Sequence, residues 1–171
     1  MNSMKSRIFS VLALCLLIST TGFAQNKKAV NLDEQIKLNC KVRTGKLAYG
    51  LTYYVRANNN PANRAEYQIA VNAGSVLEEA NEQGLAHFTE HMGFNGTKHY
   101  PGNTMIDDLE KEGIVFGREI NAYTGFDQTV YMVTLPTDNA RLFDMGLKIL
   151  DGWASGMLMT GEEIDKERGV I

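Results

Sequence analysis

The chain has 171 residues, 44% of them hydrophobic and 22% charged, with 17 basic and 20 acidic residues and a formal net charge of −3. That length suits one domain with one core, and a mildly acidic chain without a basic cluster argues against nucleic acid or an anionic membrane surface as partner. Of its two cysteines one, Cys15, falls in a leading apolar run, so Cys40 alone cannot form an internal disulfide and a disulfide-stapled scaffold is excluded.

In chain order, Lys5 and Arg7 precede the apolar run Ile8–Ile18, and small residues follow at Gly22 and Ala24. This pattern predicts a secretory signal peptide over residues 1–24, cleaved near Ala24, and hence an exported, periplasmic or secreted protein. The apolar run is shorter than the ~20 residues needed to cross a bilayer, so no stable membrane anchor is expected. Residues 25–41 read as a polar leader, and folded sequence begins at Val42.

Val42–Val55 predicts two short strands around Gly45 and Gly50, with Leu51, Tyr53 and Val55 alternating. Glu66–Ala73 alternates Tyr67, Ile69 and Val71 and predicts a further strand. After an acidic loop, Gly84–Met92 predicts a helix, stopped by Gly93 at the usual position just past a helix end. Thr104–Glu112 predicts a short helix with Met105, Ile106 and Leu109 on one side. Glu119–Tyr123 and Gln128–Leu135 predict a hairpin, and the second strand, apolar on both faces, should be covered on both. Asp138–Ser155 predicts a long helix whose apolar face holds Leu142, Phe143, Met145, Leu147, Ile149, Leu150 and Trp153. Thr160-x-x-Glu163 is a capping-box pattern, predicting a last helix that continues to Ile171. The order gives an α+β fold, a mixed sheet packed against helices, and not a repeated βαβ unit.

All three histidines, His87, His91 and His99, lie between Gly84 and Tyr100. On a helix, His87 and His91 share a face, four residues apart, and Glu90 stands on the neighbouring edge of it. Two imidazoles at that spacing can hold one metal ion with a carboxylate beside it. This HxxEH order is the arrangement of the inverzincin peptidases. Catalytic Zn²⁺ takes three protein ligands and a water, lowers the pKa of that water toward ~7, and needs a neighbouring base to take the proton. The motif alone leaves open two solvent-facing histidines on a surface helix. His99, in a polar turn beside Lys98, reads as a surface histidine.

Three stretches together, GLAHFTEHMGFNGT, INAYTGFDQTVYMVTLP and EEIDKERGVI, resemble the pitrilysin-type zinc metallopeptidases, the family of insulysin and the mitochondrial processing peptidase. NAGSVLE and VRTGKLAYGLTYYV are similar to the first strands of that family, and the likeness runs from about Val42 onward. The resemblance implies an α/β roll of the metallohydrolase type, with residues 42–171 an incomplete N-terminal metallopeptidase domain. It implies that His87 and His91 bind Zn²⁺ and that Glu90 is the general base for a zinc-bound water. It implies that Asn121, Ala122 and Tyr123 form an edge strand that takes up the substrate peptide, and that Glu167 is a supporting acid near the metal. The family's third zinc ligand is expected past Ile171, although residue counting alone leaves Glu167 open for that place. The substrate would be a peptide or unfolded protein. Further homologous domains of the parent chain would complete the enzyme, and this truncated chain alone is expected to be inactive. Two other readings remain: a non-catalytic scaffold of the same fold, and, more remotely, a relative of S-ribosylhomocysteine lyase. The latter needs a cysteine downstream of the histidines, whereas Cys40 lies upstream.

Overall fold

The computed structural model describes residues 32–171, and the expected signal peptide lies outside the described residues. The described chain falls into two compact units, one ending at Arg56 and one running from Ala57 to Ile171. The first holds an antiparallel hairpin of β1 (Val42–Lys46) and β2 (Thr52–Arg56), paired from Val42 opposite Arg56 to Lys46 opposite Thr52. Its turn is tied by Gly50 N–H donating to the Leu47 carbonyl at 2.9 Å.

The second unit holds β3 (Arg64–Val71), β4 (Ile120–Thr124) and β5 (Thr129–Pro136) in one antiparallel sheet, ordered β3-β5-β4. Four helices accompany it: α1 (Leu85–Met92), α2 (Thr104–Lys111), α3 (Ala140–Ser155) and α4 (Gly161–Glu167). The expected α+β class holds. β5 is the central strand, which explains its apolar residues on both faces: Val130 and Tyr131 are both buried, as are Val133 and Leu135. β4 has β5 on one side and, among the described residues of its sheet, no strand on the other.

The core forms where α3 packs on β3 and β5. Leu142, Met145, Gly146, Ile149, Gly152 and Trp153 make the buried face of α3, an i, i+3, i+4, i+7 stripe. Phe143 and Leu147, expected on that face, are exposed, because their positions fall about a quarter turn off the stripe. Tyr131 stacks on Trp153 with ring centroids 5.3 Å apart, and this pair underlies the end of α1. Gly93 ends α1 in ordinary right-handed geometry (φ −62°), not in the left-handed state its sequence position suggested. Glycine is needed there for another reason: a Cβ would lie 2.6 Å from the Tyr131 ring, and the Trp153 Nε1–H donates to the Gly93 carbonyl at 2.9 Å. The last helix also differs from expectation. Thr160 Oγ1 accepts from Glu163 N–H and starts α4, but the helix ends at Glu167, with Arg168 as its cap, and turns follow.

Candidate metal centre and active site

The local sequence around α1 explains how its polar face is held. The helix begins at Gly84, whose φ of +93° suits glycine and whose missing side chain leaves the first N–H groups without a cap. Glu78, six residues upstream, supplies the acceptors: its carboxylate takes Gly84 N–H at 2.9 Å and Ala86 N–H at 2.8 Å. These backbone donors, Ala86 first, hold the Glu78 pKa below its ordinary value. The turn that carries His87 is therefore fixed by a bridging carboxylate.

One helical turn later the predicted residues converge. His87 Nε2 and His91 Nε2 are 3.1 Å apart, with ring centroids at 4.7 Å and planes nearly perpendicular. The other face of the His91 ring system is tied down, since Nδ1 donates to Glu167 Oε1 at 2.6 Å. An ionised carboxylate can only accept, so Nδ1 is the donor of that bond, and Nε2 is the nitrogen turned toward His87. Two nitrogens bound at ~2.05 Å to one tetrahedral zinc would be about 3.3 Å apart, so the separation found fits a shared metal ion. Among the described residues no set of three or more His, Cys, Asp or Glu side chains is arranged to hold a metal; the two imidazoles are what this chain brings together.

Glu167 is 9% exposed and engages both carboxylate oxygens, Oε1 with His91 and Oε2 with Asn95 Nδ2 at 2.5 Å. It sits behind the imidazole, on the nitrogen remote from His87. Glu90, 8% exposed, lies between the two histidines in sequence and accepts at Oε2 from Thr124 Oγ1–H at 2.5 Å. Thr124 is the last residue of β4, so the strand carrying Asn121, Ala122 and Tyr123 also grips Glu90. Burial, and secondarily the charge of Glu90, raises the pKa of Tyr131, whose hydroxyl donates to the Thr89 carbonyl at 3.2 Å. A cleft of about 520 Å³ opens beside this group, lined among others by Glu90, His91, Asn95, Asn121 and Glu167.

Asn95 and Thr124 were not singled out from sequence. Each touches its partner across a large separation, Asn95 to Glu167 over 72 residues and Thr124 to Glu90 over 34, and no local pattern marks such pairs. Asn95 lies past the end of α1, in the bend after Gly93 and Phe94, where helical spacing gives no signal. His99 is not part of the group: its Nε2–H donates to Asp151 Oδ2 at 2.6 Å, beside Lys98.

Comparison with known proteins decides the family. The family described as Insulinase (Peptidase family M16) matches residues 53–171. The chain belongs to the M16 peptidases. Within this family it is 36% identical over 159 residues to the probable zinc protease PqqL of Haemophilus influenzae, covering 93% of this chain and 17% of that one. It is 43% identical over 131 residues to the Escherichia coli protein of the same name, covering 77% of this chain and 14% of the relative. The crystal structure of the periplasmic protease PqqL from Escherichia coli superposes with a TM-score of 0.74 at 41% identity, over 79% of this chain and 15% of that one. Pitrilysin shares the fold, with a TM-score of 0.64 at 22% identity. The chain thus spans about a sixth of the length of these curated M16 relatives. Its relatives in the family carry the name zinc protease, and the family is the one its motifs resemble.

Proposed function

We propose that this chain is the N-terminal part of an exported zinc metalloendopeptidase that hydrolyses peptides or unfolded proteins. The observation that carries the reading is the pair of Nε2 atoms 3.1 Å apart with a buried carboxylate, Glu90, held beside them. His87 and His91 would hold the ion. Zinc in such a site supplies Lewis acidity, bringing a water within reach of deprotonation near neutral pH. The chain's own groups do the rest. Glu167, itself held by Asn95, fixes the orientation of the His91 ring, with Nδ1 toward the carboxylate and Nε2 toward His87. Thr124 occupies Oε2 of Glu90 and leaves Oε1 to take a proton from the attacking water and pass it to the leaving amine. The free edge of β4, at Asn121, Ala122 and Tyr123, would take the substrate backbone by strand addition, which orients the scissile bond near Glu90.

The signal-peptide pattern and the periplasmic placement named for the Escherichia coli relative both support export. The much greater length of the relatives supports a need for further domains of the parent chain, including the third metal ligand. The test is Glu90→Gln in the full-length gene product. Zinc content should stay at the wild-type level while peptide cleavage falls by about 10²- to 10⁴-fold. Cleavage at the wild-type rate would remove Glu90 from the reaction.

A further inference from the structure

The two histidines of the candidate metal centre are held in different ways. His91 is fixed through its side chain, by the bond from Nδ1 to Glu167 Oε1. His87 is exposed, and among the described residues its ring meets only that of His91, Nε2 to Nε2 and edge to face. No hydrogen bond reaches its Nδ1 among the described residues. An imidazole with nothing behind it stands where its backbone puts it. The first turn of α1 therefore decides how the His87 Nε2 stands against that of His91.

That turn is held from outside the helix. The first N–H groups of a helix have no partner within it, and here a loop supplies the acceptors. Leu85 N–H donates to the Glu82 carbonyl at 3.1 Å. The donors on either side of it, Gly84 and Ala86, go to the two oxygens of one carboxylate, Glu78. Ala86 is the residue before His87. Glu78 is in turn anchored on the sheet, because it directly follows a short 3-10 turn, Ser75–Leu77. Ser75 N–H donates to the Gly125 carbonyl at 3.1 Å, Val76 N–H to the Phe126 carbonyl at 2.9 Å, and Thr129 Oγ1–H to the Ala73 carbonyl at 2.9 Å. The two segments lie so close that a Cβ on Gly74 would collide with the Gly125 carbonyl oxygen. Gly125 follows Thr124, whose hydroxyl binds Glu90. The turn between β4 and β5 thus registers two polar residues of α1, Glu90 through Thr124 and His87 by way of Glu78.

We propose that Glu78 is the positioning residue for His87: by holding the Gly84 and Ala86 N–H groups it sets the His87 imidazole against His91 and so determines how tightly the pair takes a zinc ion. The inference rests on the zinc reading of His87 and His91 above and adds a residue outside their motif. A carboxylate also favours a nearby cation by its charge alone, and the two effects make different demands. Bridging two N–H groups, one oxygen to each, needs the length of a glutamate side chain and its acceptors. Attraction by charge needs only the charge.

The test uses the full-length gene product, with zinc affinity read by competition against a metal indicator. Glu78→Ala should weaken zinc binding about 3- to 30-fold. Asn139→Ala is the matched control. It removes a cap from α3, where the Asn139 side chain accepts from Arg141 N–H at 3.0 Å, and zinc affinity should stay within about 2-fold of wild type. Glu78→Gln keeps the length and one acceptor without the charge and should recover most of the loss. Glu78→Asp keeps the charge without the reach and should behave like Glu78→Ala. Hydrogen exchange on the metal-free protein should quicken over residues 84–92 in Glu78→Ala and stay at the wild-type rate there in Asn139→Ala. Unchanged zinc affinity in Glu78→Ala, an equal loss in Asn139→Ala, or rescue by aspartate and not by glutamine overturns the proposal. A wild-type protein that takes up no zinc contradicts the metal reading and this proposal with it, whereas wild-type uptake that Glu78→Ala leaves unchanged contradicts the Glu78 assignment alone.

Discussion

Two histidines in this chain make nearly the same contact and differ in everything around it. His91 and His99 each meet a carboxylate oxygen at 2.6 Å, Glu167 in one case and Asp151 in the other. Around His91 the carboxylate's side chain is 12% exposed, its second oxygen is held by the neutral amide of Asn95, and the other ring nitrogen faces another imidazole. Around His99 the carboxylate is 44% exposed and shared with the Lys98 ammonium at 2.8 Å. A histidine–carboxylate pair by itself therefore says little about chemistry. The second ring nitrogen and the other oxygen of the carboxylate set the buried pair apart from a surface ion cluster.

The sharpest way to break this contrast is to remove Glu167. Glu167→Ala leaves the His91 Nδ1–H and the Asn95 amide without their acceptor, and zinc affinity should fall about 10- to 100-fold by equilibrium dialysis. A smaller effect follows from Asn95→Ala, about 3- to 10-fold on the same measurement. Because Asn95 acts through Glu167, Asn95→Ala should add nothing in the Glu167→Ala background; additive losses would mean that it acts by another route. The smallest effect belongs to the other histidine. The hydrogen bond from His99, and then that from Lys98, hold the Asp151 pKa below its ordinary value. Its contribution to stability is then present above about pH 3.9, the unfolded value, and is lost as pH falls through the lower folded value. At such an exposed site it is worth under about 0.5 kcal/mol. Asp151→Asn should flatten the acid limb of thermal stability slightly between pH 4 and the folded pKa, with metal uptake unchanged; a loss of zinc in this variant would erase the distinction drawn between the two histidines.

The sequence was most informative where chemistry depends on neighbours along the chain. The four-residue spacing of His87 and His91 was enough to place both on one face of α1, and alternation in Tyr67, Ile69 and Val71 marked β3. Gly93 does end the helix, but its lack of a Cβ serves the Tyr131 ring and not a left-handed turn. The apolar face of α3 is narrower in the fold than its sequence suggests, because Phe143 and Leu147 are apolar yet exposed beside the buried stripe. Thr124, Asn95 and Glu78 were out of reach. Thr124 and Asn95 act on groups brought close only by the sheet and by α4, and Glu78 caps a helix from a loop whose path the local pattern does not encode.

The central claim is that His87 and His91, and not His99, hold one zinc ion. Zinc titration of the full-length gene product and of three single-alanine variants tests it directly. Wild type and His99→Ala should take up zinc with equal affinity, while His87→Ala and His91→Ala should each lose at least about 100-fold. Undiminished zinc binding by His87→Ala, or loss of zinc on changing His99, would contradict the account.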